Sequence, residues 1–220
     1  MFKKIADNRE VGSLAVQFRK KRFAFFSSLL SRLDRPVSIL DIGGTETYWK
    51  TMNNMESDLQ VFITLLNLSK DDITLPNVLS VIGDARDIQF EDGKFDVVFS
   101  NSVIEHVGQR TDQKKMADEI RRVGKRYFIQ TPNKYFPIEP HFLFPFFQFL
   151  PVSLRVGLLK NFDLGWFKRT TESEKAKEVV EGIRLLGKRE FRELFPNARL
   201  YQEKILWMTK SFVAYEGWDD

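Results

Sequence analysis

Five short β-rich runs separated by helical or polar stretches constrain the fold of this chain more than any other feature. The runs occupy residues 37–42, 61–66, 78–82, 95–99 and 126–130, and each ends in small or polar residues. A helical spacing of apolar residues over 112–123 separates the last two runs. Strands alternating with helices predict a parallel sheet. Because ligands of open α/β sheets bind at the carboxyl ends of the strands, we expect the functional site there.

The rest of the chain divides into segments around these runs. With 220 residues we expect one domain, 1–220, in four parts: an N-terminal helical segment (1–36), a core (37–133), an insertion (134–187) and a C-terminal helix with a hairpin (188–220). Residues 135–151 are crowded with Phe and Pro, which regular strands tolerate poorly, so we interpret them as a cover over the sheet's carboxyl edge. The runs 200–208 and 211–215 are too close for a parallel pair and predict an antiparallel hairpin.

Charge and cysteine content limit the possible partners. The 34 basic and 30 acidic residues leave a net charge of +4, spread along the chain except for the cluster Arg19-Lys20-Lys21-Arg22. Apolar residues follow this cluster, which favours an amphipathic helix with a solvated basic face over an RNA or membrane patch. We therefore expect no nucleic-acid partner. Without cysteine, a disulfide framework, a thiolate zinc site and a cysteine nucleophile are excluded.

The start of the chain and its hydropathy predict a cytoplasmic protein. Charged residues interrupt positions 1–10, where a signal peptide would need an apolar stretch. No run reaches the roughly 20 apolar residues of a spanning helix, so we expect no transmembrane segment.

A glycine turn follows the first run, in Asp41-Ile42-Gly43-Gly44. Glycine lets the backbone pass close to a ligand, although a pair of glycines after a strand is also common in plain tight turns. Two further features favour a nucleotide-type site. Asn67 ends the second run where a ribose-binding side chain is expected, and Gly83-Asp84-Ala85 follows the third.

These segments resemble the class I methyltransferases of the methyltransferase type 11 kind, which use S-adenosylmethionine (AdoMet). The resemblance lies in 37–44, 83–88 and 95–107, with Ile104-Glu105-His106 as its most specific piece, and extends to 189–196 and 210–215. It implies an α/β fold: a Rossmann-like, doubly wound, mostly parallel seven-stranded sheet with an antiparallel C-terminal hairpin and an aromatic-rich insertion after the fifth strand. Residues 37–133 would then form the cofactor-binding core.

The resemblance also implies which residues bind AdoMet. The amino acid portion would contact Asp41, Gly43 and Gly44, the ribose Asn67, the adenine Asp84 and Ala85, and the methionine end Ser100 and Asn101. The chain departs from the family pattern in two places. Thr45 and Thr47 stand where glycines are preferred, and the neutral Asn67 replaces an acid that would bind hydroxyls more strongly.

The methyl group of AdoMet is already activated, so the protein mainly aligns the acceptor and excludes water. An acceptor hydroxyl would benefit from a general base, and the chain has two histidines, His106 and His141. Glu139 could orient His141 as that base, or His141 could simply pack among phenylalanines. His106 could instead bond the backbone at a helix start. No His or acidic spacing demands a metal, so we expect none.

The predicted activity is methyl transfer, at oxygen, to a small-molecule, glycan or lipid-linked acceptor. The run 142–149 could be core, an apolar acceptor pocket or a peripheral membrane contact. A nicotinamide-dependent oxidoreductase would want a complete G-x-G-x-x-G, which this turn lacks. A nucleic-acid methyltransferase is disfavoured by the dispersed charge. The remaining alternative is a catalytically degenerate binding module, which Thr45, Thr47 and Asn67 would support.

Overall fold

The computed structural model describes residues 12–52 and 60–218. The predictions on residues 1–10 therefore lie outside the described part of the chain. The main sheet has seven strands: β1 (Val37–Ile42), β2 (Val61–Asn67), β3 (Val78–Ile82), β4 (Val97–Asn101), β5 (Tyr127–Pro132), β8 (Arg199–Ile205) and β9 (Met208–Glu216). A small two-stranded ribbon, β6 (Ile138–Glu139) with β7 (Phe144–Pro145), belongs to the insertion.

The strand order is β3-β2-β1-β4-β5-β9-β8. Strands β1 to β5 run parallel, whereas β9 is antiparallel to both β5 and β8. The order reverses between β1 and β4, so a crevice for ligands is expected beside the ends of these two strands. This topology confirms the predicted Rossmann-like sheet with its antiparallel C-terminal hairpin.

Two strand boundaries differ from the predicted ones. Phe95 makes only a single bridge, to Gly124, and β4 begins at Val97. The hairpin turns at Leu206 and Trp207 and not at Thr209-Lys210, and Leu206 has the left-handed φ of 55°. Both turn residues are apolar, so the pattern extended the first strand across a turn that is in fact solvent-exposed.

Helices cover both faces of the sheet. The helices are α1 (Leu14–Leu30), α2 (Glu46–Met52), α3 (Arg110–Val123), α4 (Val152–Asn161), α5 (Ser173–Glu181) and α6 (Lys188–Leu194). On one face α3 and α6 bury Met116, Ile120 and Phe191 against the strands. On the other face α1 and α2 bury Phe26 and Trp49, and Phe26 packs its ring 4.6 Å from that of Phe99. No helix in 12–52 or 60–218 has the length and hydropathy needed to cross a bilayer.

The insertion, which contains β6, β7, α4 and α5, has a small core of its own. Phe142 and Phe147 stack with ring centroids 4.1 Å apart and pack against Leu159. Phe146 and Phe149 remain exposed. The prediction that the whole chain is one domain stays a prediction.

The basic cluster of α1 is not a uniformly solvated face, which corrects the sequence interpretation. Arg22 is buried, with a relative exposure of 5%, and its guanidinium donates two hydrogen bonds to Glu203 of β8, at 3.0 and 2.7 Å. The same group donates to Asn101 at the end of β4 and to Gln130 in β5. A run of basic residues in the sequence does not show which side chain faces the sheet. It also does not identify the partner of that side chain, Glu203, which lies 181 residues further along the chain.

Candidate active site

The turn after β1 has no room for side chains at its two glycines. Gly43 has a φ of +73°, and a Cβ atom there would lie 2.4 Å from Cγ2 of Val103. A Cβ atom on Gly44 would lie 1.7 Å from Oδ2 of Asp41. Glycine is therefore required at both positions for the turn to pack against Asp41 and against the segment that follows β4.

Asp41 is buried at the end of β1 and accepts a hydrogen bond of 2.7 Å from Nε1 of Trp49. Burial raises the pKa of Asp41 to about 8, although the hydrogen bond from Trp49 acts in the opposite direction. In the folded chain the carboxyl group therefore favours its neutral form at pH 7.

We expect Asp41→Asn to change how stability depends on pH. The folded pKa lies above the ordinary aspartate value, so protonated Asp41 stabilises the fold fully below about pH 4, and this contribution is lost as the pH rises through about 8. Asparagine has no such titration and can still accept from Trp49. Urea unfolding at pH 5 and pH 8 should show the wild type losing stability relative to the variant at the higher pH. If the difference in unfolding free energy between the wild type and the variant were the same at both pH values, the raised pKa of Asp41 would be contradicted.

A carboxylate that the sequence pattern missed, that of Asp71, lies beside the end of β2. The Asn67 side-chain amide donates to the carbonyl of Gly44 at 2.9 Å and to Oδ2 of Asp71 at 2.7 Å. The backbone N–H of Asp71 in turn donates to the hydroxyl of Ser80. An acid thus lies beside the neutral Asn67, four residues beyond the position where the family pattern has one.

The turn after β3 places Asp84 in an ion pair. Nη2 of Arg86 lies 2.6 Å from Oδ2 of Asp84, and the hydrogen bonds from Arg86 lower the pKa of this partly exposed carboxyl. Ala85 is buried and packs in the core on the α3 face of the sheet. Of the two residues assigned to adenine by resemblance, only Asp84 exposes a polar side chain at this edge.

Ser100 and Asn101, at the end of β4, both bind neighbouring elements. The buried hydroxyl of Ser100 donates to the carbonyl of Ile42 in β1 at 3.1 Å. Oδ1 of Asn101 accepts from Arg22 at 3.0 Å. Their predicted place near the methionine end of AdoMet stays a prediction.

A cluster of polar side chains begins at Glu105, two residues after Val103, the residue against which Gly43 packs. Glu105 and His106 lie on a short 3-10 helix, Ile104–His106. The buried side chain of Gln113 in α3 braces this helix by donating to the carbonyl of Ile104 at 3.1 Å. Glu105 is fully buried, and Oε2 accepts from the hydroxyl of Thr131 at 3.0 Å. Burial raises the pKa of Glu105 to about 7.

The insertion brings His141 to this cluster. The rings of His141 and His106 meet edge to face with centroids 4.8 Å apart. Nδ1 of His141 lies 2.7 Å from Oε1 of Glu139, while Oε2 of the same carboxylate accepts from the backbone N–H groups of His141 and Phe142. Glu139 therefore fixes both the loop and the imidazole of His141.

The two imidazoles have opposite pKa shifts. Burial would lower the pKa of His141, but the hydrogen bond and charge of Glu139 outweigh it, so the net shift is upward. The pKa of His106 lies below its usual value, because the surrounding protein partly desolvates its ring and because His141 lies beside it. All three predicted catalytic residues, His106, His141 and Glu139, thus lie together.

A cavity of about 350 Å³ adjoins this cluster at Glu139 and is lined mostly by residues of the insertion, with Gln109 and, from α6, Glu190 completing its wall. Glu139 lines it together with Lys134, Gln148, Arg155 and Arg184, among others. The carboxylate that holds His141 thus forms part of the cavity wall.

Comparisons with known proteins agree with this architecture. The methyltransferase domain family matches residues 56–127, the segment leading from β2 to the start of β5. An uncharacterized protein of Mycobacterium tuberculosis is 35% identical over 63 residues, which are 29% of this chain and 22% of that protein. The chain thus matches about a fifth of that relative's length.

Two solved structures share the fold over most of this chain. The carbon methyltransferase CurJ is 13% identical, with 90% of this chain and 53% of that chain covered and a TM-score of 0.55. An AdoMet-dependent methyltransferase of Methanosarcina mazei is 12% identical, with 86% and 95% covered and a TM-score of 0.53.

The sheet order and these two solved structures show that this chain has the Rossmann-like fold of the class I methyltransferases. The match to the methyltransferase domain family includes 83–88 and 95–107, two of the segments in which the sequence resembles the type 11 methyltransferases.

Proposed function

We propose that this protein transfers a methyl group from AdoMet to an oxygen atom of an acceptor. The observation that carries the proposal is the contact between two turns at the carboxyl edge. The glycine turn after β1 packs against Val103, immediately before the helix that presents Glu105 and His106. A nucleotide-type turn and a cluster of titratable side chains are thereby adjacent.

The side chains at this edge fit AdoMet by their chemistry. The carboxylate of Asp71, with the amide of Asn67 beside it, would bind the ribose hydroxyls. Asp84 would accept from the adenine amino group, and the backbone at Gly43 and Gly44 would approach the amino acid portion near Asp41. When bound, AdoMet supplies a methyl group that is already activated on its sulfonium.

His141 is our candidate for the base that receives the acceptor proton. Glu139 holds Nδ1, so Nε2 is the nitrogen left to accept a proton. The adjacent carboxylate would stabilise the imidazolium that forms. His106 lies edge-on to the same ring and would help to position the acceptor.

Titration of the two histidines tests this assignment. We expect His141 to titrate above, and His106 below, the usual histidine range, and Glu139→Gln to lower the pKa of His141 because the carboxylate charge is lost. Proton NMR can follow both rings, since the chain has only two histidines. Glu172→Gln, at an exposed ion pair with Lys175, is the matched control. If Glu139→Gln left the pKa of His141 unchanged, the proposed pairing of Glu139 with His141 would be refuted.

The acceptor that fits this site best is a small molecule or a single unit of a glycan. The cavity beside Glu139 has a volume of about 350 Å³ and charged walls, which suit a polar molecule. A lipid-linked acceptor would additionally place its apolar part, and with it a peripheral membrane contact, along the exposed Phe146 and Phe149.

Calorimetric titration with S-adenosylhomocysteine (AdoHcy), the demethylated cofactor, tests the cofactor residues. Asp71→Ala should weaken binding roughly tenfold, since about 1.5 kcal/mol is typical of a hydrogen bond to a charged group. Asp72→Ala, the exposed neighbour, should have no effect. Equal losses in both variants, or none in either, would contradict the role of Asp71.

A degenerate binding module is the second candidate. It is favoured by the partners that two candidate acids already have, since Asp41 binds Trp49 and Asp84 binds Arg86. A folded protein that fails to bind AdoHcy would support this alternative.

A further inference from the structure

We propose that Glu105, His106 and His141 form a binding site for one divalent transition-metal ion. Each residue offers one ligand atom, and the three atoms lie within 4.8 Å of one another. Protein ligands sit about 2.0–2.2 Å from such an ion, so ligand atoms around it are roughly 3–4 Å apart. Loading the site therefore requires a closure of about 1 Å.

The first support is the free oxygen of Glu105. Oε2 is bonded by Thr131, whereas Oε1 is buried and has no hydrogen-bond partner among the described residues. Glu105 itself is 0% exposed. A buried acceptor without a partner is unfavourable, and nearly all such atoms in native proteins are satisfied. A bound cation would satisfy this one.

The second support is the pairing of His141 with Glu139. Histidines that bind metals commonly donate their other ring N–H to a carboxylate, which fixes the tautomer and the ring orientation. The 2.7 Å contact between Nδ1 and Glu139 is of this kind and leaves Nε2 for the ion. Glu139 is itself held by two backbone N–H groups, so the orienting carboxylate cannot easily turn away.

The donor set indicates the kind of metal. Two imidazole nitrogens and one carboxylate suit Zn²⁺, Fe²⁺, Mn²⁺ or Co²⁺, whereas Ca²⁺ and Mg²⁺ prefer oxygen ligands throughout. Three protein ligands also leave a coordination position open, as in catalytic sites. His106 is exposed, which gives the ion a route from solvent.

The role of the ion rests on the proposed function. In the open position it would hold the acceptor oxygen and lower the pKa of its hydroxyl. With the ion bound, Nε2 of His141 would be a metal ligand and would no longer act as the base of the metal-free site, so the acceptor proton would pass to water. The oxygen forms the new bond to the methyl carbon, and the bond from that carbon to sulfur breaks, leaving its electron pair on sulfur.

Metal titration without cofactor or acceptor tests the site. Tag-free protein is treated with EDTA, dialysed and titrated with Co²⁺, whose visible absorption reports nitrogen ligation. We expect one ion per chain with micromolar or tighter affinity, displaced by Zn²⁺. Glu105→Gln and His141→Asn should each weaken binding by 100-fold or more. Glu139→Gln should weaken it by about 10- to 100-fold, as for other orienting carboxylates.

Glu172→Gln is the control and should bind Co²⁺ like the wild type. Zn²⁺ should also raise the unfolding midpoint of the wild type, and His106→Asn, on an exposed turn, should remove that rise even if the buried variants fail to fold. Absence of Co²⁺ binding, or equal binding by wild type and His106→Asn, would overturn the proposal. The metal titration contains no AdoHcy, so its failure does not depend on whether the protein binds the cofactor. Failure of the metal site and failure of the proposed methyl transfer are therefore separate results.

Discussion

Arg22→Met is expected to lower the free energy of unfolding by about 3–5 kcal/mol, the usual cost of removing one member of a buried ion pair. Glu203 has only 2% of its side chain exposed and would keep a buried negative charge without its bidentate partner. Asn101 and Gln130 would lose a donor at the same time. Urea denaturation at pH 7 measures the change.

A double variant separates the ion pair from simple loss of packing. Arg22→Met combined with Glu203→Gln removes both charges, so we expect it to be more stable than Arg22→Met alone. Arg189→Met, whose side chain is 94% exposed in its ion pair with Glu193, should leave stability nearly unchanged. A small effect of Arg22→Met, similar to that of Arg189→Met, would contradict this interpretation.

Gly44→Ala is expected to abolish measurable AdoHcy binding and to destabilise the fold by about 1–3 kcal/mol, the typical cost of overpacking. The new methyl group would overlap Oδ2 of Asp41, and that carboxyl is buried and bonded to Trp49, so it has little freedom to move. The turn itself must then shift away from the position proposed for the cofactor.

Gly157→Ala is the matched control. Gly157 lies in α4, and a Cβ atom there would have no neighbour within 4 Å. Alanine favours a helix over glycine by about 0.5–1 kcal/mol, so this variant should be slightly stabilised and should bind AdoHcy normally. Normal binding by Gly44→Ala would show that the turn does not contact the cofactor.

The core of the fold was predictable because its strands are continuous apolar runs. β1 is buried along nearly its whole length and reads as such in Val37-Ser38-Ile39-Leu40. The turn at Leu206 was not predictable, because apolar residues there occupy an exposed hairpin end. Its φ of 55° is a feature of the backbone that residue type alone does not specify at leucine.

Single residues of the candidate site were predictable, whereas most of the contacts between distant residues were not. His106, His141 and Glu139 were predicted as catalytic residues from their chemistry, whereas Glu105 was noted only as part of the motif after β4 and its role in the site was missed. Asp71 lies in an irregular segment beyond β2, and its contact with Asn67 depends on how that segment turns back. The contact of His141 with His106 joins positions 35 residues apart, so no local spacing indicated a possible metal site.

Calorimetric titration of the wild-type protein with AdoMet, using NAD as the control ligand, tests the central claim most directly. Methyl transfer by this fold predicts a single AdoMet site of micromolar affinity and no heat with NAD, whose binding would want the third glycine that the turn after β1 lacks. Failure to bind AdoMet at millimolar concentration, by protein shown to be folded, would contradict the claim.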